Sequence, residues 1–313
     1  MRAVAVMVVL AACGSPTPVK IDQGIRIDYS LDLAAVKDRN AAVADAVRVI
    51  KRRVDRAHIT ANAMARGEHV IVDLAPADPE AMERAKDIIA RVGKLELRLV
   101  TSGAPLMQQL TERVKSDSRG ADMIGAETER WAERDGTTHV DYFLTGPDRK
   151  ALERYLDELR DPTLAIPADH QIAFERVERE RKYWRTYYVD RVARYTNQDV
   201  ANARASIDMS TNRPAVAIYL TDEAAERFRA LTEHSVGDKL AIMVDDRVLA
   251  APLIEGPVKN GRLTITSDDA DQLAIVLAAG ALPTPMRMET VAEIVGDKLK
   301  SLDENGNVIM VPR

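Results

Sequence analysis

The apolar positions in the first third of the chain recur with the periods of strands and helices. Ile25, Ile27 and Tyr29 alternate with polar residues as in a half-buried strand, whereas Val43 and Ile50 lie on one stripe of a helix. The pattern predicts strand 25–30, helix 34–57, strands 59–65 and 69–74, helix 79–92 and strand 95–100. This β-α-β-β-α-β order is that of a ferredoxin-like sandwich, which has both helices on one face of an antiparallel sheet.

The middle of the chain is more charged and predicts helices between short strands. Helices are predicted at 106–134, 147–160, 199–205 and 222–234, and strands at 139–144, 183–189 and 215–220. Thr221 is the expected N-cap of the last of these helices, because a threonine oxygen accepts a free N–H group of the first turn. Lys51-Arg52-Arg53 come late in helix 34–57, where we expect their charges to complement the helix dipole.

Residues 231–285 carry a dense set of turn and cap signals. The apolar run 239–244 ends at Asp245-Asp246, which predicts a hairpin into 247–249. A strand is predicted at 261–266, and a helix at 270–279 with Ser267 as its N-cap and Gly280 as its end. The tail 298–311 predicts a hairpin that turns at 303–306.

These elements predict an α+β protein with two subdomains. The first is a ferredoxin-like base subdomain at 21–105, and the second is an α+β head subdomain at 106–285 with mainly antiparallel strands. Residues 286–313 are expected to form a return segment and a C-terminal hairpin.

Residues 232–283 match the spacing of a long sequence motif found in one protein family. The matching positions are Thr232, Val236, Gly237, Leu240, Ala241, Ile242, Asp245, Val248, Ala251, Pro252, Ile254, Gly261, Ile265, Thr266, Ala270, Leu273, Ala274, Leu277 and 280–283. In this stretch the chain resembles the head subdomain of the first periplasmic domain of SecD, a membrane subunit of the bacterial protein-export machinery.

The first third is similar to the SecD base subdomain as well. The matching positions are 31–33, Ile50, Arg53, Val54, 70–74 and 95–100. The chain departs from the family at Ala34-Ala35, which replace a glycine pair, at His58, near a usual glycine, and at Leu97, which replaces an aromatic residue. Residues 200–208, followed by 214–216, resemble a further run of the SecD sequence pattern.

The resemblance implies a role in the export of unfolded proteins. SecD engages the emerging chain with its periplasmic head, and its membrane helices couple movement to the proton gradient. No segment of this sequence approaches the roughly 20 apolar residues that span a bilayer. We therefore expect a module that binds translocating polypeptide or a Sec translocon subunit and is not itself a proton-driven motor.

The single cysteine among the 313 residues is Cys13. It follows Arg2 and the apolar run 3–12, an arrangement that resembles a bacterial lipobox, and residues 14–18 form a flexible tether. We expect a signal peptide at 1–12, a lipid on Cys13, a tether at 13–20 and a location in the cell envelope facing the periplasm. Gly14 favours the outer membrane if the source is Gram-negative. The alternative is a chance cysteine after a short buried segment.

Two clusters are candidate polypeptide-binding sites. The first contains Tyr183, Trp184, Tyr187 and Tyr188 among several basic residues, a mixture that suits extended peptide or lipid headgroups. The second contains Leu249, Pro252 and Ile254, where apolar residues near a turn suit a groove for unfolded polypeptide. The alternative for both clusters is core packing, with the aromatic side chains inward and the basic side chains outward.

Other functions are less favoured by the sequence. A net charge of −5 with interspersed signs gives no general attraction to nucleic acid. His58, His69, His139, His170 and His234 lack metal-ligand spacing, and no nucleophile or cofactor motif is present, so we expect no catalytic residue, metal or cofactor. An envelope scaffolding lipoprotein that kept the fold without the export role is the main alternative, and an enzyme is the least favoured.

Overall fold

The computed structural model describes residues 19–116, 123–132, 136–159, 161–178, 181–302 and 308–313. The helices are α1 (Arg39–Arg56), α2 (Pro79–Ala90), α3 (Pro105–Ser116), α4 (Arg149–Glu158), α5 (Asp222–His234) and α6 (Ala270–Ala279). The strands are β1 (Gln23–Leu31), β2 (Ala61–Arg66), β3 (His69–Leu74), β4 (Leu95–Val100), β5 (Gly125–Ala132), β6 (Thr138–Gly146), β7 (His170–Glu178), β8 (Lys182–Asp190), β9 (Tyr195–Thr196), β10 (Val200–Asp208), β11 (Arg213–Leu220), β12 (Lys239–Val244), β13 (Arg247–Ala250), β14 (Arg262–Thr266), β15 (Met286–Val295), β16 (Lys298–Leu302) and β17 (Val308–Pro312). Cys13 lies outside the described residues.

The first sheet has the strand order β17-β16-β15-β1-β3-β2, and all its pairs are antiparallel. Helices α1 and α2 contribute to one core with this sheet, which includes Ile27, Ile50, Val72 and Ile89. Helix α1 begins where the Asp38 carboxylate accepts a hydrogen bond from the N–H of Ala41. The structure therefore has two helices packed with an antiparallel sheet in this part of the chain.

One strand of the predicted ferredoxin-like sheet, 95–100, is assigned to the wrong sheet. Strand β4 does not join the base sheet but pairs with β12 in the second sheet, and β15 takes the fourth ferredoxin-like position beside β1. The burial of β4 gives the physical reason, because nearly every residue from Leu95 to Val100 is buried on both faces. The predicted division of the chain remains a proposal, with this strand reassigned to the head.

The second sheet closes into a small barrel. Its closed part runs β4-β12-β13-β7-β8, and Val100 pairs with Val189 to join β8 back to β4. Strands β7 and β13 run parallel, whereas the other strand pairs of this sheet run antiparallel. Side chains of alternate residues point inward, and the interior contains Ala173, Val189, Ala241, Met243 and Val248. These findings confirm the α+β class with mainly antiparallel strands.

The outside of the barrel is covered by two further cores. One core lies between strands β4 and β12 on one side and the three-stranded sheet β10-β11-β14 with helices α5 and α6 on the other. The second core lies under α3 and α4. Helix α6 contacts α1 and α2 as well as β10, so it joins the head to the base. In the part of the chain that the structure describes, no helix has the length and apolar character to cross a membrane.

Three local predictions are also corrected. The helix predicted at 106–134 ends at Ser116 in the structure, and its last part contains β5. The helix predicted at 199–205 is mostly strand β10, because its pairing with β11 outweighs the helix propensity of its alanines. The N-cap of α6 is Asp269 rather than Ser267, whose hydroxyl contacts the Asp269 carboxylate.

The predicted cap and hairpins agree with the structure. The Thr221 hydroxyl oxygen accepts the N–H of Ala224 at 3.3 Å. Strands β12 and β13 pair across Asp245-Asp246, and β16 pairs with β17. The predicted turn at 303–306 lies outside the described residues.

Candidate functional site

The first predicted cluster lies on β8, a strand of the barrel that is covered on both sides. Tyr187 is 3% exposed and belongs to the barrel interior, and Tyr188 is 7% exposed in the core under α3 and α4. Tyr183 and Trp184, at the beginning of the strand, are half-buried. The structure therefore places two of the four predicted aromatic side chains in cores and leaves two at the surface.

Tyr187 belongs to a polar network at one end of the barrel. Its hydroxyl donates to Glu175 Oε2 at 3.0 Å and accepts from Arg185 Nη2 at 2.7 Å, while Arg185 Nε donates to the same Glu175 oxygen at 2.5 Å. The Arg185 guanidinium lies 4.6 Å from the centre of the Phe143 ring. Burial, followed by the negative charge of Glu175, raises the pKa of Tyr187 far above its ordinary value. The network satisfies buried polar groups and offers no exposed face to a peptide.

Tyr188 stacks on an imidazole rather than facing solvent. Its ring centre is 4.5 Å from that of His170, with 7° between the two planes. His170 Nε2 lies 3.0 Å from Thr101 Oγ1. Tyr188 and His170 therefore help to fix the connection that follows β4.

Tyr183 lines a surface cleft of about 400 Å³ beside the β5–β6 hairpin. Arg181, Lys182 and Met123 also line it, and the Tyr183 hydroxyl donates to Glu127 Oε2 at 2.9 Å. Trp184 stands opposite Gly146 on the neighbouring strand and packs partly against the core under α3 and α4. This aromatic-basic cleft is the part of the first predicted cluster that remains accessible.

The second predicted cluster is divided in the same way. Ile254 is 6% exposed and packs in the core beneath α5 and α6, and Leu249 is half-buried against that core. Pro252 is exposed, and its carbonyl accepts the N–H of Leu240 at 3.0 Å. The segment therefore closes the head core, and Pro252 with part of Leu249 remains at the surface.

The sequence missed a charged platform around Trp131. Lys239 Nζ lies 3.9 Å from the centre of the Trp131 ring, 2.8 Å from Asp141 Oδ2 and 3.0 Å from Glu129 Oε2. The Trp131 ring also stacks on that of His139, with 5.4 Å between the ring centres. Trp131 fell inside the predicted helix 106–134, because the charged run from Glu127 to Arg130 shows no alternation of apolar and polar residues. Among the described residues, no group of three or more His, Cys, Asp or Glu side chains is arranged to hold a metal ion.

Comparison with known proteins relates the chain to protein export. Residues 170–284, which contain all the residues of both predicted clusters, match the family model described as SecDF, P1 head subdomain. The protein translocase subunit SecD of Anaeromyxobacter dehalogenans is 26% identical over 289 residues, covering 83% of this chain and 47% of that protein. The SecD of Endomicrobium trichonymphae is 30% identical over 277 residues, covering 84% and 50%.

A solved structure of SecDF, described as a membrane component that enhances protein export, also matches this chain. The match covers 85% of this chain and 98% of the SecDF chain in that structure. Its TM-score is 0.53 and its identity 22%, which supports the α+β fold. The chain spans about half the length of the two curated relatives, 47% and 50%. Both are named as translocase subunits, in agreement with the prediction of a transport component rather than an enzyme. The chain is therefore related to the SecD and SecDF components of the protein-export machinery and resembles their periplasmic P1 domain, with the head subdomain match at residues 170–284.

Proposed function

We propose that this chain is a SecD-like envelope module that assists protein export by binding unfolded, translocating polypeptide or a Sec translocon partner. A lipid on Cys13 holds it at the membrane surface, with the folded part on the periplasmic side, and proton-driven work belongs to other subunits. The relation to SecD and SecDF supports the export role.

The aromatic-basic cleft is the observation that carries the binding proposal. Tyr183 offers apolar ring surface, and Arg181 and Lys182 add positive charge beside it. Rings and long basic side chains contact many different peptide sequences, because they need no fixed hydrogen-bond partner. Such a surface suits a protein that receives many exported chains.

We expect Tyr183→Ala to weaken the binding of a fluorescently labelled unfolded polypeptide by about fivefold, the loss typical of one aromatic contact. Fluorescence anisotropy measures the affinity. Tyr219→Ala is the matched control, because Tyr219 is also a half-buried strand tyrosine beside an arginine, Arg262, but lies outside the cleft. Equal affinities for the two variants would argue against the cleft.

A crosslinking experiment tests the export role itself. A photo-crosslinking amino acid at position 183 should capture emerging secretory chains or Sec subunits in cells that are actively exporting. Capture of unrelated envelope proteins alone would count against the proposal. A deletion strain with normal secretion and altered envelope integrity would instead support the scaffolding alternative.

The lipid anchor has its own test. We expect Cys13→Ala to move the protein from the membrane fraction to the soluble fraction, because the thiol that would carry the lipid is lost. Cell fractionation with immunoblotting measures the distribution, and Ser15→Ala in the same segment is the control. An unchanged membrane fraction for the Cys13→Ala protein would remove the lipid from the proposal.

A further inference from the structure

A groove of about 640 Å³ lies where the base meets the head, and no predicted site includes it. Helix α2 forms one wall with Met82 and Ile88, and the first turns of α6 form the other with Ile275. The floor contains Leu74 at the end of β3 and Ile59 in the loop after α1. The groove therefore has an apolar lining contributed by both subdomains.

Small side chains keep this groove open. Alanines occupy five of its lining positions, which are Ala57, Ala75, Ala77, Ala81 and Ala85. At Ala81 and Ala85 they lie on the face of α2 that is turned toward α6, where larger residues would fill the space between the helices. The cavity is within the range of about 300–1,000 Å³ that is usual for ligand sites in proteins.

The rim of the groove next to α6 is acidic. Asp269 binds Arg91 at 2.5 Å and Asp268 lies 3.1 Å from Arg213, whereas exposed Asp271 forms no ion pair with any residue in the described ranges. Arg84, the basic residue of the opposite wall, is already paired with Glu80 at 2.6 Å. Of the three carboxylates at this rim, Asp271 is therefore the one that a cationic group could pair with, because Arg91 and Arg213 already pair with Asp269 and Asp268.

We propose that this groove binds a short extended polypeptide segment in which a bulky apolar side chain is followed by lysine or arginine. The apolar side chain occupies the space between α2 and α6, and the basic side chain pairs with Asp271. This inference rests on the proposed function, because it assumes that the chain handles unfolded polypeptide. It adds a second contact site, separate from the cleft at Tyr183, and a preference for basic over acidic segments.

The test uses two labelled peptides that differ in charge alone, one with a leucine-lysine centre and one with a leucine-glutamate centre. We expect the full-length protein to bind the lysine peptide about fivefold more tightly than the glutamate peptide. The lysine gains one partly exposed ion pair with Asp271, and it avoids the repulsion that the glutamate meets there. Asp271→Lys should abolish this preference. Ala81→Trp should weaken both peptides by about tenfold, because the indole fills the groove.

Matched controls exist for both variants. Asp222 is an exposed acid in the first turn of α5, as Asp271 is in that of α6, so Asp222→Lys should leave the preference unchanged. Ala41 and Ala81 occupy the same position in α1 and α2, because each donates its N–H to the N-cap aspartate of its helix. Ala41→Trp therefore adds the same indole outside the groove and should leave the binding of both peptides unchanged. Circular dichroism confirms that each variant is folded.

The outcomes separate this inference from the proposed function. If Asp271→Lys and Ala81→Trp bind like the parent protein while Tyr183→Ala binds more weakly, the groove is overturned and the export role stands. If the parent protein binds neither peptide but binds the unfolded polypeptide, the groove is overturned and the proposed function stands; if it binds none of the three and position 183 captures no secretory chain or Sec subunit, both fail. A photo-crosslinking amino acid at Gln272 should capture the lysine peptide, and capture of residues 1–18 of the same chain or of a second copy instead would overturn the proposed occupant.

Discussion

Arg53→Met is expected to lower the free energy of unfolding by about 3–5 kcal/mol, the cost of leaving several buried polar groups without partners. The side chain of Arg53 is completely buried. Its guanidinium donates to the carbonyls of Ile88 at 3.0 Å, Val92 at 2.9 Å and Gly280 at 3.0 Å, and also to those of Ile89 and Arg91. One side chain therefore satisfies the carboxyl-terminal end of α2 and the end of α6 together.

The charge of Arg53 is stabilised by carbonyl groups rather than by a bound carboxylate. Burial lowers its pKa to about 10, so the guanidinium remains charged at neutral pH. Carbonyls at helix ends carry partial negative charge, which favours a cation at that position. Methionine has a similar length and fills the space, but it donates no hydrogen bond to these carbonyls.

Denaturant unfolding followed by far-ultraviolet circular dichroism measures this loss. Arg56→Met is the control, because Arg56 lies in the same last turn of α1 but is exposed, and we expect it to change the stability by no more than about 0.5 kcal/mol. A loss below about 1 kcal/mol for Arg53→Met would mean that water or a rearrangement satisfies the carbonyls equally well.

The sequence predicted the position of Arg53 but not its role. Its place in the last turn favoured a surface charge acting on its own helix dipole, together with Lys51 and Arg52. Arg53 instead directly precedes Val54 on the buried stripe of α1, and its partners are 35 to 227 residues away along the chain. Pairings over such distances leave no local signal in a single sequence.

Local chemistry was predicted best. Asp245 and Asp246 adopt φ values of 52° and 58°, as a tight hairpin turn requires, and Gly280 ends α6 with φ 95°. His58, which stands near a usual glycine of the family, takes φ 53°. Each of these features depends on a few neighbouring residues, so the sequence contains the information that determines it.

The candidate site was predicted in part for a related reason. The run 183–188 is rich in aromatic and basic residues. Its composition alone does not say which of these side chains point inward. Both faces of β8 are covered, so Tyr187 enters the barrel and Tyr188 enters the outer core, and Tyr183 and Trp184 remain near the surface because the strand begins there. The closure of the barrel, which decides this, depends on the distant pair Val100 and Val189.

Asp73→Asn is expected to lower the free energy of unfolding by about 3–5 kcal/mol at neutral pH, as for other broken buried ion pairs. The Asp73 side chain is 0% exposed on the face of the base sheet that α1 and α2 do not cover. Arg26, its register partner on β1, donates Nε to Oδ1 at 2.7 Å and Nη2 to Oδ2 at 2.9 Å. Arg313 donates Nη2 to Oδ2 at 2.5 Å.

The predicted loss depends on pH in a definite direction. Burial raises the pKa of the Asp73 carboxyl, but the hydrogen bonds and charges of Arg26 and Arg313 outweigh it, so the pKa lies below its ordinary value. The unfolded chain therefore binds this proton at a higher pH than the folded protein does. The stabilisation is fully present above the unfolded pKa of about 3.9 and is lost as the pH falls through the folded value.

Denaturant unfolding of the parent and Asp73→Asn proteins between neutral pH and acid measures this dependence. The difference in stability should be largest at neutral pH and should shrink below about pH 4, where the parent carboxylate is protonated and asparagine cannot titrate. Asp45→Asn is the control, because Asp45 pairs with Arg48 at 2.6 Å on the exposed surface of α1, where such a pair contributes about 0–1 kcal/mol. A difference that stays constant into acid would show that asparagine disrupts packing, and that the paired charge of Asp73 is not what stabilises the sheet.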